Sequence, residues 1–227
     1  MNENDFFSNA MKKSLKDNAQ LVFAKKVTIA IYDDDIMSEI GDIVDIINFS
    51  PTQSSVTTLF DNRSKFALSL SKVSTANLSI FFPLTREKFI IKSQVIMLNP
   101  KTENNAQNLL INKYNIEKEN ILKKYWNALS EEEKLIYETV DKDSMKKEDT
   151  DDLNKYTAQE KRGVSGNFSV CLFVPLKYEY TVFPMPQVIA NTRKMKFESL
   201  LKPHKMPRKF LNEYDEKESK WTSVQLN

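Results

Sequence analysis

The chain has 227 residues and is nearly charge-balanced, with 33 Lys+Arg against 31 Asp+Glu, one His, one Cys and three Gly. An average chain of this length carries roughly five times as many glycines, and Gly41, Gly163 and Gly166 compose neither a GxxxxGK[ST] nor a GxGxxG phosphate loop. With His204 and Cys171 the only residues of their kinds, a zinc set, a CxxC redox pair and a Ser-His-Asp triad are all poor readings.

In chain order, Asp5 to Ala19 reads as an amphipathic helix, with Phe7, Ala10, Met11 and Leu15 on one face and Asn4 or Asp5 as its cap. Strands are expected at Val27–Tyr32, Asp42–Phe49 and Ser55–Phe60, from their β-branched and aromatic runs split by DDD and SPTQ turns. Asn62 to Val73 returns to helical spacing. Ala76–Phe82 and Lys88–Leu98 are two further strands, the second long enough to bend around a barrel. Asn105 to Leu129 is the longest expected helix, and Ser130 with Glu133 forms a capping box for the next. Residues 141–166 turn charged and polar and are expected to form a mobile loop. Strand-like runs at Asn167–Val174, YEYTVF, RKFLNEY and WTSVQLN complete the chain. These elements describe one α+β domain, mainly β, built on a curved antiparallel sheet. Neither a signal peptide nor an apolar run approaching the ~20 residues of a membrane helix is visible. A soluble protein without a membrane partner is therefore expected, cytoplasmic, with the nucleus also open to it.

FFPLTREKFII (Phe81–Ile91) resembles the strand–turn–strand of the pyridoxamine 5′-phosphate oxidase family, in particular a flavin-binding branch reading YFPKTREQFRL. Register carries outward from there. The stretch from Phe60 to Phe82 resembles the family's TDTRS helix and following strand, Tyr125–Tyr137 its W-x-x-L-S segment, and WTSVQLN from Trp221 its closing W-x-x-x-R-L. The resemblance implies a split β-barrel of about six antiparallel strands, a homodimer, and FMN at the subunit interface. The phosphate would be held by side chains rather than a glycine loop, which suits a chain with three glycines.

By the same register, Arg63, Ser64 and Lys65 would hold the FMN phosphate, Arg86 and Lys88 would approach the flavin ring, and Trp221 is a further cofactor candidate. Lys205 and Arg208 would meet a small phosphorylated substrate; no metal is implied. The chain departs from the family where Asp42, Ile47 and Phe66 replace phosphate-binding cations and Gln225 replaces a terminal Arg. A charged hydrogen bond is worth about 1.5–3 kcal/mol. Losing two or three would therefore weaken phosphate binding by about two to six orders of magnitude. Two functions stay open: an FMN-dependent oxidoreductase resembling the family enzyme, and a degenerate split barrel acting as a non-enzymatic dimeric binding protein. The string YWNALSEEEKLIYE also resembles the second helix of an HMG box, but the β-rich segment before it and the acidic one after it argue against nucleic acid.

Overall fold

The computed structural model describes residues 3–50, 54–101, 105–138, 163–184, 208–215 and 220–226. Segment 141–162 of the expected charged loop lies outside them. The elements are α1 (Glu3–Asp17), β1 (Lys26–Asp33), β2 (Ser38–Asp45), β3 (Asn48–Ser50), β4 (Ser55–Asp61), α2 (Lys65–Leu70), β5 (Thr75–Phe82), β6 (Glu87–Leu98), α3 (Asn105–Lys113), α4 (Lys118–Ala128), α5 (Glu131–Glu138), β7 (Phe168–Val182), β8 (Arg208–Asp215) and β9 (Lys220–Leu226).

The strands pair antiparallel in the order β2-β1-β5-β6-β7-β4-β3, with β8 on β7 and β9 on β8. Strand β7 serves two neighbours along one edge: Phe168–Phe173 face β4, and Lys177–Val182 face β8. Between them stands Pro175, opposite Ser93, where the β6 register shifts at Lys92/Ser93. A proline has no N–H to give a ladder, so it is tolerated in a central strand only at such an irregularity. The sheet curls until β2 touches β4, but no ladder joins them and the barrel is not closed.

Alternation along the strands creates two cores. The inward residues Phe89, Ile91, Val95, Phe173 and Tyr178 enclose Phe7 and Met11 of α1, as the helical spacing predicts. The outward residues Ile96, Leu98, Phe168 and Val170 are covered by Leu122, Tyr125 and Trp126 of α4. Helix α1 already runs through Asn4 and Asp5, so neither is its cap. Its far end is tied to the β5–β6 turn: the buried Asn18 amide donates to the Ser14 carbonyl at 2.8 Å and Thr85 Oγ1 at 3.2 Å, and its Oδ1 accepts the Leu84 N–H at 2.9 Å.

Four expectations change in detail. The strand expected at Asp42–Phe49 is split, because Ile46 donates to the Lys25 carbonyl and Ile47 to the Thr57 carbonyl. Those two residues carry the chain from the β1 side of the split to the β4 side. The long helix is two helices, broken where Asn115 takes a φ of 51°, a conformation that asparagine tolerates better than most residues. Asn62–Val73 shortens to α2, since Asp61–Ser64 are used as turn and cap. The runs at Asn167–Val174 and YEYTVF form the single strand β7. The capping box forms as expected, Glu133 accepting the Ser130 N–H at 2.8 Å and donating its own N–H to Ser130 Oγ at 3.2 Å. No helix among the described residues is long and apolar enough to cross a membrane.

Candidate functional site

The end of β4 turns into α2 through Asp61, Asn62 and Arg63. Asp61 accepts from Arg63 Nε at 2.9 Å and Nη2 at 2.5 Å, and from the Arg63 backbone N–H at 2.9 Å. The same Nη2 reaches the Ile136 carbonyl in the last turn of α5 at 2.6 Å. Arg63 is thus a structural clamp between β4 and α5. Ser64 caps α2, its Oγ accepting the Ala67 N–H at 3.1 Å. Lys65 is exposed and forms no ion pair among the described residues. Phe66 points the other way, buried against Phe60 with ring centroids 6.0 Å apart.

Asp42 lies in phase with Ile40 and Val44 on β2, solvent-exposed, with Oδ1 accepting the N–H of its neighbour Ile43 at 2.8 Å. It pairs with neither Lys65 nor Arg63; the ion pair at this end belongs to Asp61, which the sequence reading passed over. Its signal was present in the D-x-R spacing at a strand end. Ile47 is 45% exposed beside β4.

Burial pushes the Asp61 carboxyl up, but the Arg63 guanidinium and backbone N–H outweigh it and hold the group below its ordinary 3.8. A carboxylate lowered by folding contributes stability above its unfolded pKa and loses it as pH falls through the folded one. Asp61→Asn should therefore lower the urea midpoint at pH 7, and the gap from wild type should close below about pH 4. Parallel curves at pH 7 and at acid pH would contradict the clamp.

The second cluster stands at the other end of β6. Arg86 occupies the β5–β6 turn with a φ of 57°, and its carbonyl accepts the Phe183 N–H at 2.9 Å. Among the described residues its Nε is buried and meets no acceptor, and no ion pair forms to its guanidinium. Next to it Glu87 accepts Ser14 Oγ at 2.6 Å and the Tyr180 hydroxyl at 2.5 Å. Burial first, then Glu87, pushes the Tyr180 phenol well above its ordinary value. Lys88 opposes Phe81 and Thr181, and exposed Arg208 opposes Val182, the residue that faces Glu87. Trp221 opposes Tyr214 in the last ladder, nearer the middle of β7. Lys205 and His204 lie outside the described residues.

The two clusters do not meet within one chain. Asp61 faces Phe168 and Lys88 faces Thr181, a strand path of roughly 40 Å at 3.3 Å per residue. Neither a family model nor a curated protein sequence matches the chain; solved structures do. A pyridoxamine 5′-phosphate oxidase-related, FMN-binding protein from Nostoc punctiforme PCC 73102 superposes with a TM-score of 0.68 at 16% identity, covering 96% of this chain and 95% of that one. PhzG from Burkholderia lata 383, in complex with tetrahydrophenazine-1-carboxylic acid, gives 0.61 at 15% identity, covering 96% and 91%. The fold is that of the pyridoxamine 5′-phosphate oxidase-related split barrels. In this split barrel Arg63, Ser64 and Lys65 gather at one end of β6, and Arg86, Lys88 and Arg208 at the other.

Proposed function

We propose that two copies of this split barrel hold FMN between them and that the protein acts as a flavin-dependent oxidoreductase. The observation that carries the reading is Arg86. A buried guanidinium N–H without an acceptor is costly, about 1–3 kcal/mol, and a turn that keeps one in the left-handed region is arranged to meet something. A flavin carbonyl presented by a second copy would supply the missing acceptor. The phosphate end would then come from the other chain, with Lys65 as its free cation and the Ser64 hydroxyl beside it; Lys88 would flank the ring, and Arg208 an anionic substrate. A bound flavin supplies the redox chemistry itself, while these residues bind and orient.

Titration of FMN with purified protein tests this by fluorescence quenching. Saturable quenching at micromolar concentration or tighter is expected; a flat titration would sink the reading. That flat result is what the second reading, a cofactor-free dimeric split barrel, predicts. Its support is specific: Phe66 occupies the core where the family places a cation, and Arg63 is committed to Asp61 and α5.

A further inference from the structure

Behind α2, on its Arg63–Ala67–Ser71 side, lies a cavity of about 330 Å³, at the lower end of the ~300–1,000 Å³ usual for ligand pockets. Among the described residues its wall carries no Asp or Glu, and it has Arg63 and Lys101 as cations and Leu68 and Met97 as apolar surface. Arg63 is matched by Asp61, so among the described lining residues the charge left over is that of Lys101, which forms no ion pair with any of them. The floor is built. Asn62 and Asn99 donate their amides to the Gly166 carbonyl at 3.2 and 3.3 Å, and Asn99 also donates to Ser169 Oγ at 3.2 Å. Asn99 Oδ1 in turn accepts the Lys101 N–H at 2.7 Å.

Gly166 gives the arrangement its direction. Its φ is not positive, so the backbone itself does not require glycine there. What its missing side chain provides is space: a Cβ would come within 1.8 Å of Lys101 Cε and 2.5 Å of Nζ. The end of the Lys101 side chain occupies the space that a Cβ on residue 166 would take, and both residues line the pocket. We infer that this cavity is a binding site for a small oxyanion with an apolar body, a carboxylate or a phosphate monoester, whose head meets Lys101 and whose body lies against Leu68 and Met97. It lies beside the proposed flavin set and uses a different cation.

Calorimetric titration of the full-length protein with 2-naphthoate, 2-naphthyl phosphate and the neutral 2-naphthamide tests it. At least one anion should bind, the tighter of the two naming the head group, and the amide should bind at least tenfold more weakly. Lys101→Met should remove that preference. Gly166→Ala should do the same while leaving the thermal midpoint nearly unchanged, because the atoms nearest the added Cβ belong to the flexible end of a lysine. Lys65→Met should leave it intact, which separates this site from the flavin reading. Equal binding of acid and amide, an unaffected Lys101→Met, or a loss of the preference in Lys65→Met would overturn the proposal.

Discussion

Phe7→Ala is expected to destabilise the protein by about 3–5 kcal/mol, read as a fall in the urea midpoint with the slope preserved. Phe7 is 1% exposed, and its ring lies 4.4 Å from Tyr178, 5.9 Å from Phe89 and 6.0 Å from Phe49, centroid to centroid. Those rings come from β7, β6 and β3, so one side chain of the N-terminal helix plugs strands from both sides of the split. Removing it leaves a cavity lined by rigid aromatics, which collapse less readily than aliphatic chains. The damage should also reach the β5–β6 turn, because Ser14 of the same helix and Asn18 just past its end hold Glu87, Leu84 and Thr85. A cost below about 1 kcal/mol would mean that α1 is an accessory rather than part of the barrel interior.

Arg86→Gly should move stability and cofactor affinity in opposite directions. Glycine accepts a φ of 57° without the Cβ penalty, and the substitution also removes the unsatisfied Nε. Stability should hold or rise by about 1 kcal/mol. If the guanidinium meets FMN, the loss of a charged hydrogen bond should weaken flavin binding about 10- to 150-fold. A residue kept only for the turn would show the first effect and not the second. Fluorescence quenching beside a urea titration of the same variant separates the two.

How much of this was legible in the sequence differs between elements. Strands β1, β4, β5 and β6 were readable because each alternates or runs β-branched between polar turns, and α1 because Phe7 and Met11 recur at helical spacing. The break at Asn115 was hidden, since the apolar residues Tyr114 and Ile116 continue the stripe of α3 and α4 through the four-residue turn that a left-handed φ opens. The Ile46–Ile47 crossing was hidden for a related reason: it is a change of hydrogen-bond partner inside the β-branched stretch Asp42–Phe49, with no glycine or proline to mark it. At the site, the Arg63-Ser64-Lys65 string reads as three anion ligands. The fold divides them, with Arg63 turned to Asp61, Ser64 used as a cap and Lys65 left in solvent. The floor under Lys101 has no one-dimensional signature, because Asn62, Asn99 and Gly166 meet only through the β4, β6 and β7 ladders.

The separation of Lys65 from Arg86 along the length of the barrel makes the two-copy site directly testable. Lys65→Met and Arg86→Gly chains, each weak in FMN binding alone, can be co-expressed with different tags and the mixed dimer isolated. If each site draws phosphate contacts from one copy and ring contacts from the other, the mixed dimer carries one intact site and one doubly damaged one. It should then bind about one FMN per two chains at wild-type affinity, against two in the parent dimer. A mixed species that binds no better than either variant, or a protein that stays monomeric while binding FMN at full affinity, would contradict a cofactor site shared between two copies.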